Sequence, residues 1–327
     1  MADGEKNEKQ HIRPLEGLGG EKPPAPDWFK WALDQPSDEG SVEVEKAVIR
    51  YSAWGEIGKP GLLFIHGGRA HRNWWRPFAP FFTERFRVAA LDISGLGDSE
   101  WRPRYSMEQL VNEAFAVIED AGLDRAGRPI VVGHSFGGYV TLASVERFGE
   151  RLAGAVVVDS PVGLPDPDEG YTVIRAKPEE EQAKKQRSKR VYASLAEPIE
   201  RFRFLPNQPC TNLYLVDYIA REGLTKAPME GGAGWTWKFD PYQGANFDVH
   251  FDRDLLLAPR CPLAFVYGQN SAFTQGDGIA HSRKVTAGRS PLLMMPDAHH
   301  HLMMDQPIAF ISSLRMLLSC WPIRVGA

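Results

Sequence analysis

Four short apolar runs, Leu62–Ile65, Val88–Leu91, Ile130–Val132 and Ala155–Val158, each bounded by Gly, Pro or Asp, constrain this chain more than any other feature. A strand apolar on both faces must be covered on both faces, which is the condition of a parallel strand between two helical layers. Two further runs, Leu263–Tyr267 and Leu292–Met295, follow near the C-terminus. Between them lie segments of helical period. In the clearest, Met107, Leu110, Val111, Ala114, Phe115 and Ile118 share one face. Ser106 and Gln109 have the spacing of a capping box there, and Gly122 supplies the stop. Strands alternating with helices predict a doubly wound, mostly parallel α/β sheet.

Composition narrows the partners. Of 327 residues 43% are hydrophobic, enough for a large core, and the net charge is −4, with no basic surplus for a nucleic-acid footprint. The three cysteines, Cys210, Cys261 and Cys320, are odd in number and widely spaced, which fits neither a disulfide framework nor paired metal ligands. No metal and no cofactor is expected. The first twenty residues contain no continuous apolar stretch, and no uncharged apolar run reaches about 18 residues. The expectation is a cytoplasmic protein with no membrane partner.

The alternation breaks once, between Pro161 and about Arg260, so residues 161–255 are expected to form an inserted, mainly helical lid. Residues 41–160 and 256–327 then make the core. Within the insertion, Glu179-Glu180-Glu181 followed by Lys184, Lys185, Arg187, Lys189 and Arg190 reads as a solvated charged helix. Residues 1–40 are polar and proline-punctuated apart from Trp28-Phe29-Lys30-Trp31-Ala32-Leu33, and read as an arm docked by its aromatics. Trp28 and Trp31 also raise a homodimer contact. Val42 to Ala53 alternates as an antiparallel hairpin should.

Gly133-His134-Ser135-Phe136-Gly137 fits G-x-S-x-G, the sharp strand-to-helix turn that lifts a serine hydroxyl clear of a sheet. The apolar strand running into it and the apolar helix Tyr139–Val145 running out give the spacing its weight. His66-Gly67-Gly68 ends the first apolar strand. Backbone N–H groups of Gly68 and Phe136 are the expected oxyanion donors, the latter at a helix N-terminus. His66, His71 and His134 are expected to brace structure, and Asp92, Asp98 and Ser99 to hold the loop after the second parallel strand. Trp74, Trp235 and Trp237 are candidates for substrate contact.

Four segments together carry a resemblance: Leu62–Gly68, Asp92–Ser99, Gly133–Gly138 and Asp297–His301 resemble, in order and spacing, the α/β-hydrolase superfamily. The resemblance implies an α/β-hydrolase fold and serine hydrolysis with Ser135 as nucleophile. In the superfamily the base lies on the loop after the last strand, usually preceded by Gly, with an acidic residue five places on and Pro seven on. Asp305 and Pro307 count back to His300, with His299 in place of the usual Gly; His299 and His301 are the alternatives.

The third member departs from the common pattern. Most members carry the acid after the penultimate strand, where this chain reads Tyr267-Gly268-Gln269-Asn270-Ser271, with no carboxylate. Ser271 cannot stabilise an imidazolium by charge, so the acid is sought elsewhere. Val156-Val157-Val158-Asp159-Ser160 offers Asp159 at the neighbouring strand end, and all parallel strand ends open onto one edge. Certain haloalkane dehalogenases and resorcylic-lactone hydrolases resemble this layout. Asp277 and Asp297 are the other candidates.

The sequence thus points to hydrolysis of a small hydrophobic ester or lactone by Ser135, His300 and Asp159. Carbon–carbon bond hydrolysis of ring-cleavage dienones and a hydrolase-fold receptor with vestigial chemistry are the rivals. A dehalogenase or epoxide hydrolase is disfavoured, because each alkylates a carboxylate and position 135 is a hydroxyl.

Overall fold

The computed structural model describes residues 11–162, 165–166, 170–174, 190–243, 249–251, 253–274 and 278–321. Eight strands form the central sheet: β1 (Asp38–Val44), β2 (Ala47–Trp54), β3 (Gly61–Ile65), β4 (Arg87–Leu91), β5 (Ile130–His134), β6 (Gly154–Val158), β7 (Leu263–Gly268) and β8 (Leu292–Met295). Their order is β1-β2-β4-β3-β5-β6-β7-β8. β2 alone runs against the rest, pairing antiparallel with both β1 and β4. All six apolar runs are strands of this sheet, and the sheet is doubly wound and mostly parallel.

The fully apolar runs divide by period two between two cores. Leu63, Ile65, Ala89, Leu91, Val131, Ala155, Val157 and Phe265 point to one face. There they meet Leu110, Val111 and Ala114 of α2 (Met107–Asp120) and Val140 and Ala143 of α3 (Phe136–Phe148). Leu62, Phe64, Val88, Ala90, Val132, Val156, Val158 and Val266 point to the other, against Trp75, Phe78, Phe310 and Leu314. Each strand residue in the middle of the sheet is therefore buried whichever way it points, and each polar residue at the strand ends stands out as a site candidate.

The predicted hairpin is β1–β2, begun at Asp38 rather than Val42. Its two-residue turn, Glu45-Lys46, has both residues at positive φ, 46° and 66°, the conformation whose twist matches the strands. Neither is the usual Asn or Gly, and the turn is held from outside. Arg102 donates to the carbonyls of Val44 (2.6 Å) and Glu45 (2.8 Å), while Gln109 and Asn112 of α2 donate to the Glu45 carboxylate. Ser106 caps α2 by accepting from the Gln109 N–H, but the Gln109 side chain goes to Glu45 instead of closing the box. Gly122, at φ 69°, ends the helix as expected.

The insertion after β6 was expected to be mainly helical and is mixed among the described residues. A short helix, Ala196–Glu200, and a longer one, Leu213–Glu222, share it with a hairpin, Leu224–Met229 with Gly232–Trp237, and with a small sheet of 165–166, 170–174 and 249–251. The hairpin forms because Gly231, at φ 84°, closes a two-residue loop that a side chain would strain. The charged stretch 179–189 lies outside the described residues.

The arm docks as its aromatics predict. α1 (Asp27–Asp34) places Phe29 against Tyr214 and Tyr218 at 5.0 and 5.7 Å between ring centroids, and Trp31 against Phe81 at 4.9 Å. Polar bonds extend the contact: Ile12 N–H donates to Asn207, Gly19 N–H to Glu200, and Arg221 to the Gly20 carbonyl. The arm therefore bridges the core and the insertion. No helix among the described residues is long and apolar enough to cross a membrane.

One buried ion pair fastens α2 to this scaffold. Glu113 is fully buried, and burial pushes its carboxyl above the usual range against the pull of Ser94 and Arg102. Arg102, itself buried, pairs with it at 2.9 Å. Removing one partner strands the other's charge, so Glu113→Leu should cost about 3–5 kcal/mol in chemical denaturation, whereas the double variant with Arg102→Met should recover much of that loss. Equal stability of the single variant and the parent would contradict this account.

Candidate active site

Ser135 sits between the end of β5 and the first residue of α3, with φ 53° and ψ −118°. The strained turn is possible because the flanks are glycine: a Cβ on Gly137 would lie 2.5 Å from the carbonyl oxygens of both Ile65 and His66, and one on Gly133 would strike the Gly137 carbonyl. The Ser135 N–H donates to the Val158 carbonyl (2.9 Å), and Ser160 Oγ donates to the Ser135 carbonyl (2.7 Å), which locks the turn onto β6.

Three side chains from three strand ends join there. Ser135 Oγ lies 2.9 Å from His300 Nε2, and His300 Nδ1 lies 2.7 Å from Asp159 Oδ2. Asp159 is fully buried at positive φ, 48°, with its N–H bonded to the Val266 carbonyl at the end of β7. Two more donors satisfy its carboxylate: Gly268 N–H to Oδ1 (2.9 Å) and Ser271 Oγ to Oδ2 (2.6 Å). A buried carboxylate without such donors would be expensive to keep charged. Ser271, set aside at the sequence level for lacking charge, occupies the place of the missing acid and hydrogen-bonds to its substitute.

The alternatives are drawn elsewhere. The His299 backbone N–H and Nδ1 both face Asp305, at 2.7 and 3.0 Å, so the acid five places beyond His300 secures the preceding residue. The His301 ring is buried beside Trp74 and Phe204, 5.3 and 4.7 Å between centroids. Asp297 sits in an exposed turn at φ 49°, its N–H facing Gln269. Asp277 lies outside the described residues.

The loop after β3 borders the serine. A methyl on Gly68 would stand 3.7 Å from the Phe136 Cβ, so the two residues with candidate oxyanion N–H groups are neighbours. His66 braces this loop: Nδ1 donates to the Gly67 carbonyl (2.8 Å) while Nε2 accepts from Ile93 N–H (3.3 Å). His134 Nε2 donates to the His300 carbonyl (3.0 Å), and His71 Nε2 to the Ile219 carbonyl of the insertion (3.0 Å). The loop after β4 is held by Asp92, fully buried, which accepts from Arg72 and from the Asp98 N–H (2.9 Å), while Ser99 Oγ donates to its carbonyl.

Nitrogens of His134, His300 and His301 lie within 4.8 Å of one another. A metal ion there would take His300 from its two partners, since Nδ1 and Nε2 are both engaged. Of the aromatic candidates, Trp74 and Trp237 line a cavity of about 540 Å³ beside the loop after β3. Trp235 does not. It stands two residues, about 7 Å, nearer the hairpin tip, with Lys226 over its ring at 3.9 Å.

With this geometry in hand, the comparisons place the chain. The model of the Alpha/beta hydrolase family matches residues 62–313. The chain belongs to the alpha/beta hydrolase family. Over 128 residues it is 30% identical to epoxide hydrolase 1 of Caenorhabditis elegans, covering 38% of this chain and 31% of that one. It is 30% identical over 116 residues to the lipase LipV of Mycobacterium tuberculosis, covering 36% and 43%. The match thus spans less than half of the length of these curated relatives. Among solved structures, a thioesterase domain from the curacin biosynthetic pathway superposes with a TM-score of 0.68 at 17% identity, covering 86% of this chain and all of that one. The alpha/beta hydrolase fold is shared throughout.

Burial keeps the supporting histidines of this family member neutral. It holds His66, His134 and His301 below the ordinary imidazole range and His71 at about 4. Each therefore contributes stability that is complete above about pH 6.5 and is lost as pH falls toward its folded value. For His71 the loss runs from about 6.5 to about 4 and amounts to about 3 kcal/mol. The thermal midpoint should fall over that range. His71→Gln, which keeps an N–H for the Ile219 carbonyl, should make the fall shallower by about one proton; an identical slope would remove His71 from the account.

Proposed function

We propose that this chain is a serine hydrolase of carboxylic esters or lactones. The observation that supports it is the continuous hydrogen-bonded line from Ser135 Oγ through His300 to Asp159, set on a strained turn beside Gly68 and Phe136. In this reading His300 Nε2 takes the Ser135 proton as Oγ attacks the carbonyl carbon, and the N–H groups of Gly68 and Phe136 receive the oxyanion. The tetrahedral adduct collapses, His300 returns the proton to the leaving alcohol, and an acyl-serine remains. Water, deprotonated by His300, releases the acid and regenerates Ser135. Asp159 keeps the Nδ1–H tautomer and faces the imidazolium; Ser271 and Gly268 keep Asp159 aimed.

Epoxide hydrolases among the relatives do not extend that activity to this chain, because position 135 is a hydroxyl and not a carboxylate. The family and the geometry support hydrolysis, and the ester or lactone class is the finer part of the proposal. So are the division into arm, core and lid, and the role of the insertion as a lid over Ser135. Carbon–carbon bond hydrolysis by the same serine is separated by the ultraviolet loss of a dienone chromophore.

Ser135→Ala should reduce turnover of p-nitrophenyl esters at least about a thousandfold and abolish labelling by a fluorophosphonate. Retained activity in the pure variant would refute the assignment. Asp159→Asn should lower kcat about a thousandfold or more through loss of the tautomer, while Asp277→Asn should retain kcat. Ser271→Ala removes one hydrogen bond from Asp159 and should lower kcat roughly tenfold with KM little changed. A rise in KM with kcat intact would place Ser271 against substrate instead.

A further inference from the structure

The cavity beside the loop after β3 has a charge character that ester hydrolysis alone does not call for. Among the described residues that line it six are cations, Arg13, Arg69, Arg190, Arg201, Arg203 and Lys238, and none is a carboxylate. Four have a partner outside the lining: Arg13 pairs with Glu16, Arg190 and Arg201 share Glu197, and Lys238 pairs with Asp98 at 2.8 Å. Arg69 and Arg203 have no carboxylate within 4.0 Å among the described residues. Both residues line the cavity. Burial, and after it the charge of Arg203, holds the Arg69 guanidinium below its usual range.

Arg69 is also held in place. It follows Gly68 directly, its backbone lies in the left-handed region at φ 59°, and its guanidinium sits over the Phe239 ring at 5.4 Å. Two like charges lining a cleft with no carboxylate among its described lining residues make a local positive potential that an oxyanion would relieve. Because Arg69 adjoins the candidate oxyanion residue, a group bound to it stands on the same loop that would hold the reacting carbonyl.

We propose that the ester or lactone cleaved at Ser135 carries a second group, a carboxylate or phosphate, received by Arg69 and Arg203. The proposal rests on the reading of Ser135 as nucleophile and replaces the expected purely hydrophobic substrate with an anionic one. Trp74, Trp237 and Phe239 then cover the apolar part of the molecule between its two polar ends.

The test compares p-nitrophenyl butyrate with the mono-p-nitrophenyl ester of glutaric acid, which adds a free carboxylate at similar length. Binding of glutarate and of inorganic phosphate is measured by calorimetry alongside. The parent protein should prefer the charged ester by about tenfold or more in kcat/KM, the size of one charge-assisted hydrogen bond, and raising NaCl to about 0.5 M should erode the preference. Arg203→Gln should lower the preference about tenfold, Arg203→Glu should invert it, and Arg85→Gln, an exposed cation outside the cavity, should retain it. Whichever of glutarate and phosphate binds the parent and not Arg203→Gln identifies the anion. Equal rates for the two esters together with no anion binding would overturn the proposal, as would a preference indifferent to Arg203. Anion binding lost in Arg203→Gln, with neither ester cleaved and no fluorophosphonate labelling, would uphold the anion site and refute the serine hydrolase.

Discussion

The arrangement depends on a carboxylate that is fully buried and fully satisfied. Asp159 accepts from an imidazole on the loop after β8, a hydroxyl beyond β7 and the backbone N–H of Gly268, so donors from two neighbouring strand ends converge on a carboxylate carried by a third. Its backbone reaches that point through a left-handed conformation that aspartate tolerates better than most residues. The donors around it are set by the sheet and by the loops that leave its strands. The imidazole it faces is positioned in turn by His134, whose ring N–H holds the His300 carbonyl.

Much of this was legible because the sheet imposes simple rules. Runs apolar on both faces gave the interior strands, and their division into two cores follows from alternation alone. His300 follows from the resemblance to the superfamily, whose spacing counts back from Asp305 and Pro307, and the structure gives the count a physical basis: Asp305 grips the His299 N–H and ring, fixing the residue just before His300. Asp159 was reached by elimination and by the shared edge of parallel strands. Ser271 was discounted because only its charge was weighed; its capacity to donate was the signal available.

The insertion was less legible, since its form is set by contacts distant in sequence. The Gly231-Gly232 pair between alternating residues could have announced the hairpin, but Pro228 and the short strands obscured it. The cationic lining is assembled from the arm, the loop after β3 and three parts of the insertion, so only Arg190 of the six belongs to a conspicuously basic stretch, and the net charge of the chain is negative. Trp235 and Trp237 look equivalent as letters and differ in place by one strand repeat.

The arm gives the described part of the insertion an anchor that neither of its own chain connections supplies. Hydrogen bonds at Ile12, Gly19 and Gly20 and the edge-on packing of Phe29 reach the insertion before the chain turns into β1. The described part of the insertion is thus held to the rest of the chain at the arm as well as through its two connections to the core.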